Sequence, residues 1–220
     1  MNFFDMDAVF FSLFGQAVSY LEFFGVLAGA IAVTLSAKAH VWSWPIGLVN
    51  VTLFFFLFFQ VQLYPDMFLQ VFFFVTNLIG WWRWTHPLKG EEDQKDQLRV
   101  SYLSSRLLII FLTTGVAATV LFGALASRLH EFIPYVFSKP SSFPYADSFI
   151  TVMSIWATYL MVNKKIECWV IWIVVDAIAA VLYFTRDIRL VGIEYGVYCI
   201  IAAWGLINWK QEYMCYRHDA

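Results

Sequence analysis

Residues Val41–Trp82 read VWSWPIGLVNVTLFFFLFFQVQLYPDMFLQVFFFVTNLIGWW, with Asp66 the one charged side chain in the stretch. The polar break Gln62-Leu63-Tyr64-Pro65-Asp66 divides it into two phenylalanine-rich runs. A bilayer core about 30 Å thick takes roughly 20 apolar residues in helical form, and each run is close to that length. Hydrocarbon offers the backbone no hydrogen-bond partner, so a span satisfies its own N–H and C=O groups as a helix. The stretch therefore predicts two membrane-spanning helices joined by a tight turn. Function is then to be sought between helices.

The rest of the chain agrees. It is 61% hydrophobic with mean hydropathy +0.68, against roughly 45–50% apolar residues in soluble domains. Only 14% of its 220 residues are charged, mostly at segment ends, which leaves room for one membrane domain and no large soluble one. A net charge of −2 with no basic tract and no zinc spacing excludes a nucleic-acid partner. Met1–Gly15 is apolar but carries Asp5 and Asp7 and has no basic n-region, so it does not read as a cleavable signal. It reads as a short amphipathic helix at the interface. Cys168, Cys199 and Cys215 are odd in number and without ligand spacing, so they are expected as free thiols. With the histidines dispersed, neither a metal site nor a cofactor is expected.

Seven spans can be drawn, at about 20–37, 42–61, 66–84, 105–127, 147–163, 168–185 and 190–209. The fold class is thus an all-α membrane protein. An interfacial segment (1–19) leads into a first three-helix bundle (20–84), a polar loop (85–104) and a linking helix (105–127). A second loop (128–146), a second bundle (147–209) and a tail (210–220) follow. Trp42, Trp44, Trp81, Trp82, Trp84 and Trp209 stand near span ends and fit interfacial belts. The connection Thr85–Ser104, with Glu91, Glu92, Asp93, Lys95, Asp96 and Arg99, reads as polar and solvated. Of the 14 Lys and Arg, Arg128, Lys139, Arg186 and Arg189 lie on one side and the other ten on the side of the C-terminus. Positive charge stays inside, so the C-terminus is expected in the cytoplasm and the N-terminus outside.

An odd middle span suggests three plus one plus three. Gly80-x-x-x-Trp84 recurs as Gly205-x-x-x-Trp209, a shift of 125 residues that also takes Trp44 to Trp169 and sets Gln70 opposite Tyr195. The fourth span would put the second triplet in the membrane with the direction of the first, giving parallel repeats about an axis along the membrane normal. Repeated halves point to a transporter, with substrate expected near mid-membrane between them.

The sixth span holds the candidate chemistry. Trp169, Trp172, Asp176 and Tyr183 fall within an arc of about 60° at 100° per residue. An acid at mid-membrane is costly, and intramembrane acids mark pathways or binding surfaces more often than they serve packing alone. The plainer alternative is that Asp176 pairs with a neighbouring helix. In the third span Gln70, Asn77 and Trp81 share one face; such amides either bind a polar ligand or hydrogen-bond across helices at about 1 kcal/mol. Asn50 in the second span poses the same choice. The seventh span adds Tyr195 and Tyr198, with Glu194 read as reaching water near the interface. Phosphate-loop, serine-hydrolase and zinc-protease motifs are absent, so neither ATP hydrolysis nor a familiar hydrolytic site is visible.

Four segments, Trp44-Pro-Ile-Gly, Tyr64-x-Asp66-Met-Phe-Leu-Gln70, Gly80-Trp81-x-x-Trp84 and Glu167-x-Trp169-x-x-Trp172-x-x-x-Asp176, resemble the PnuC family of bacterial nicotinamide riboside transporters. The likeness runs in order over about residues 40–210, and the sixth-span segment is its most specific part. Where the family often has a tyrosine near the Gly-Trp pair, this chain has Asn77-Leu-Ile ahead of Gly80. The resemblance implies two three-helix bundles joined by one helix, similar to the SWEET sugar transporters. It also implies facilitated diffusion of an unphosphorylated vitamin across the bacterial inner membrane, trapping by a cytoplasmic kinase, a homotrimer, and no enzymatic activity of the chain itself.

The residues suit such a ligand. Nicotinamide riboside is a flat pyridinium cation, and an aromatic face attracts a cation by about 0.5–2 kcal/mol. Trp169, Trp172, Tyr183 and Tyr195 are the candidates to stack on the ring. Asp176, Gln70, Asn77 and Asn50 are the candidates for the ribose hydroxyls and the carboxamide. The rival readings are a same-fold carrier of thiamine or riboflavin, a sugar carrier, an integral membrane enzyme, and a structural subunit.

Overall fold

Helix boundaries follow from the local sequence. In the computed structural model, which describes residues 9–13, 16–60, 64–93, 96–132, 143–185 and 189–218, seven helices are present. They are α1 (Tyr20–Ala37), α2 (Ser43–Gln60), α3 (Tyr64–Thr85), α4 (Ser105–Phe132), α5 (Pro144–Val162), α6 (Glu167–Thr185) and α7 (Arg189–His218). The Ser19 hydroxyl accepts the Glu22 N–H at 3.2 Å and so caps α1. Prolines 45, 65 and 144 stand in the first turns of α2, α3 and α5, where a missing N–H costs nothing. Each helix lies within a few residues of an expected span except at the end of α7, which continues to His218. Helices α1, α2 and α6 and the Ser105–Arg128 part of α4 are long and apolar enough to cross a membrane. Helices α3 and α7 carry the more polar side chains, among them Gln70, Asn77, Arg83, Glu194 and Lys210.

Two expectations need correction. The described part of the N-terminal segment is not a helix: β1 (Val9–Leu13) pairs antiparallel with β2 (Gln16–Ser19), Val9 opposite Ser19 and Leu13 opposite Gln16. Val-Phe-Phe suits a strand, and Phe10 and Phe11 pack their rings on Phe23 of α1 at 4.9 and 5.7 Å. The connection after α3 is likewise not simply solvated. Leu98 is buried and its N–H donates to the Trp84 carbonyl at 3.0 Å, the Arg99 N–H donates to Glu91 O at 2.9 Å, and Arg83 pairs with the Glu91 carboxylate. The buried leucine, the two backbone bonds and the ion pair together hold this loop back against the helix it leaves.

The chain forms two compact units, Met1–Arg99 with Met214–Ala220, and Val100–Tyr213. In the first, α2 packs on both α1 and α3. In the second, α5 packs on both α4 and α6. Helix α4 is otherwise wrapped in exposed apolar side chains, Ile109, Val116, Leu121 and Phe122 among them, which suits a lipid-facing span. Gly115 and Gly123 are buried where Met153, Trp156 and Tyr145 of α5 lie against them.

Three of the tryptophans expected in interfacial belts are core residues instead. Trp84 and Trp209 are 0% exposed and Trp44 is 5% exposed, whereas Trp42, Trp81 and Trp82 are open. Trp44 meets Trp84 edge-to-face at 5.1 Å, and its ring occupies the space a Cβ on Gly80 would need. Trp169 meets Trp209 edge-to-face at 5.4 Å, over Gly205 in the same way. Each indole pair closes only because the intervening glycine lacks a side chain.

The 125-residue shift thus extends from sequence to geometry. It carries the starts of α1, α2 and α3 (20, 43, 64) to within a residue of those of α5, α6 and α7 (144, 167, 189). The turns match bond for bond. His40 N–H donates to Leu35 O at 3.0 Å as Lys165 N–H does to Leu160 O at 2.9 Å. Trp44 N–H donates to Val41 O at 3.2 Å as Trp169 N–H does to Ile166 O at 3.1 Å. Ala39 (φ 52°) and Lys164 (φ 46°) hold the same left-handed position, unusual for residues other than glycine.

Candidate binding site

Asp176 lies nine residues from either end of α6 (176 − 167 and 185 − 176), so about 13 Å of helix separates it from each end. It is 4% exposed and makes no hydrogen bond or ion pair among the described residues. One turn before it on the same face, the half-buried Trp172 keeps its indole N–H out of water with no acceptor. A buried charge without a partner costs several kcal/mol, and a packing role would require the partner.

Helix α7 supplies aromatic and polar groups beside this face. Tyr183 of α6 stacks on Tyr195 at 5.3 Å and 9°, and Tyr195 meets Tyr198 edge-on at 6.4 Å. The Tyr198 hydroxyl donates to Glu194 Oε1 at 3.0 Å, so this acid, expected to face water, orients a ring of the cluster. The Cys199 thiol points to the Ile173 carbonyl of α6 at 3.7 Å. Sequence reasoning gave Cys199 no role. The available signal was its place one turn after Tyr195, on the same face of α7.

Trp169 stands apart from the other residues of its arc. Its ring is 1% exposed and is engaged by Trp209 and Gly205, so it anchors the start of α6. The start of α6 is tied further by the Glu167 carboxylate, which accepts the Leu103 N–H at 3.0 and 3.1 Å. Ser101 is held by the neighbouring turn: its N–H donates to Lys164 O at 3.0 Å, and Lys165 Nζ donates to its hydroxyl at 2.7 Å.

In the first unit the three amides divide. Asn50 donates across helices to the Gly25 carbonyl of α1 at 2.8 Å, the packing use of an intramembrane amide. Asn77 donates to Phe73 O of its own helix at 2.8 Å and lays its side-chain oxygen against Gly47 of α2. Gln70 is half-buried and makes no hydrogen bond among the described residues, so its full set of donors and acceptors is available. Among the described residues no group of three His, Cys, Asp or Glu is placed to hold a metal ion.

Comparison with known proteins follows the same outline. Residues 19–211 match the profile of a family described as nicotinamide mononucleotide transporter. The chain is 31% identical to the nicotinamide riboside transporter PnuC of Escherichia coli K12, over 89% of this chain and 87% of that protein. It is 26% identical to the riboflavin/roseoflavin transporter RibM of Streptomyces davaonensis, over 95% of this chain and 92% of that one. The fold is similar to a crystal structure of the vitamin B3 transporter PnuC, with a TM-score of 0.65, 21% identity, and coverage of 87% of this chain and 81% of that one.

Proposed function

Since the chain belongs to the nicotinamide mononucleotide transporter family of multi-pass membrane proteins, we propose that it carries nicotinamide riboside into a bacterial cell through the cytoplasmic membrane. The observation that carries this reading is Asp176, a buried carboxylate with no internal counter-charge, beside Trp172 and the tyrosines of α6 and α7. A pyridinium cation supplies the missing charge and a flat ring for the aromatics. Trp172, Asp176, Tyr183 and Tyr195 are the contacts favoured in the second unit. Gln70 is favoured in the first, Asn77 and Asn50 being engaged by their own helices or by α1.

The same carboxylate argues against the close alternatives. A nucleotide would bring a phosphate toward Asp176, and like charges juxtaposed cost several kcal/mol. The Lys and Arg of the chain lie at span ends, as with Arg83, Arg106, Arg128, Lys164 and Lys210, and none stands at mid-span to receive a phosphate. Riboflavin is the specific rival, because RibM matches over almost the whole chain. Its ring system is neutral, so it brings Asp176 hydrogen-bond donors but no counter-charge. Thiamine is a cation and remains to be separated by competition.

The family resemblance supports movement down the substrate gradient, with phosphorylation by a cytoplasmic kinase holding the product inside. The matched turns and indole clasps support two parallel three-helix repeats joined by α4, and the loop charges support an outside N-terminus and a cytoplasmic C-terminus. A homotrimer is the assembly we propose. The test is uptake of labelled nicotinamide riboside by liposomes holding the purified protein. Saturable uptake that stops at equal concentrations and resists excess riboflavin, thiamine and nicotinamide mononucleotide is expected. Inhibition by thiamine or riboflavin at concentrations where nicotinamide riboside itself saturates replaces the substrate, and accumulation above equality overturns facilitated diffusion.

A further inference from the structure

Cys199 is the group in the Asp176 cluster that neither the sequence motifs nor the proposed contacts use. It is half-buried on α7, and its sulfur lies 3.7 Å from the Ile173 carbonyl of α6. Its two chain mates differ. Cys168 is fully buried and Cys215 is exposed near the end of α7, outside the cluster. The feature that makes this more than a lone thiol is Asp176: 4% exposed, without a hydrogen bond or ion pair among the described residues, and one turn along α6 from the Ile173 carbonyl that the Cys199 sulfur meets. A ligand that neutralises this carboxylate must come against the same surface.

We infer that Cys199 forms part of the wall of the substrate site, as a specificity-determining residue whose small side chain leaves room for the ligand beside Asp176. The inference rests on the proposed transport of nicotinamide riboside. The 125-residue shift sets Phe74 of α3, which is 40% exposed, where α7 has the half-buried Cys199 (199 − 125 = 74). The melting temperature of Cys199→Phe therefore decides whether the added ring fills the site or disturbs the helix pair.

The test uses the full-length protein carrying Cys215→Ser, purified in detergent, with a small methanethiosulfonate reagent. The Cys199 thiolate attacks the reagent sulfur, forms a mixed disulfide and expels methanesulfinate; mass spectrometry locates the adduct. Nicotinamide riboside at about ten times its Kd leaves roughly one site in ten empty, so labelling of Cys199 is expected to slow about tenfold. Cys199→Phe is expected to lose saturable tryptophan quenching by nicotinamide riboside while keeping its melting temperature, and Cys199→Ala to retain the quenching. Labelling that ignores a ligand which still quenches tryptophan overturns the inference and leaves the transport reading standing. So does a thiol unreactive in the ligand-free protein, or a Cys199→Phe variant that binds like the parent. Absence of quenching in the parent itself removes the transport reading and this inference together.

Discussion

At the scale of the residue, the chemistry is concentrated in one unsatisfied carboxylate. Converting Asp176 to Asn keeps its shape and removes the charge that a pyridinium would meet. We expect Asp176→Asn to weaken nicotinamide riboside binding by about one to two orders of magnitude, the factor that roughly 1.4–2.8 kcal/mol represents, with folding and expression retained. Trp172→Ala is expected to cost less, up to the roughly 2 kcal/mol of one desolvated cation–π contact. Calorimetric titration of both variants checks the order, and parental affinity in Asp176→Asn removes the site. Asp176 was legible in the sequence, since an acid in the middle of a Trp-rich span is conspicuous. Its neighbours were less so. Cys199 meets the Ile173 carbonyl through the way α6 and α7 pack, and the register between two helices is not written along either one. Asn50 shows the same limit: the amide was visible, but its acceptor on Gly25 was not.

At the scale of the element, the fold depends on two glycines that let indoles close over a helix. A Cβ on Gly80 or Gly205 would stand inside the ring of Trp44 or Trp169. Overpacking of this kind typically costs about 1–3 kcal/mol. We expect Gly205→Leu and Gly80→Leu each to lower the melting temperature in detergent, and Gly205→Leu combined with Trp169→Ala to recover part of the loss. Equal melting of Gly205→Leu and the parent contradicts the packing. The sequence displayed the Gly-x-x-x-Trp spacing and its repeat but not its use, because a tryptophan near a span end reads equally well as an interfacial anchor or as core. The β1–β2 hairpin was hidden for a related reason. A short aromatic run such as Val9–Leu13 has no periodicity of its own, and the rings of α1 decide its conformation.

For the whole molecule, the 125-residue shift separates what is common to the halves from what is not. The Trp-Gly-Trp clasps, 44, 80 and 84 against 169, 205 and 209, are among the positions that keep their residue across the shift. The positions of the proposed site are among those that change: Gly47 for Trp172, Val51 for Asp176, Gln70 for Tyr195 and Phe74 for Cys199. The repeated clasps thus build the same scaffold in both halves. The seven-helix outline was readable in the sequence, most plainly for α1, α2, α6 and the Ser105–Arg128 part of α4, where length and hydropathy suffice without tertiary detail. The orientation the loop charges imply is checked by fusing a reporter to Ala220: activity confined to the cytoplasm is expected, and periplasmic activity inverts the topology. The clasps also have a mechanical meaning. Trp44 with Trp84, and Trp169 with Trp209, splint each helix pair at the end that carries the short α1–α2 or α5–α6 turn. The far end of each pair is tied as well, by the short connection from Gln60 to Tyr64 or from Thr185 to Arg189. A pair tied at both ends keeps its spacing and moves as one body. The stacked rings of Tyr183 and Tyr195, close to the second tie of α6 and α7, therefore travel together.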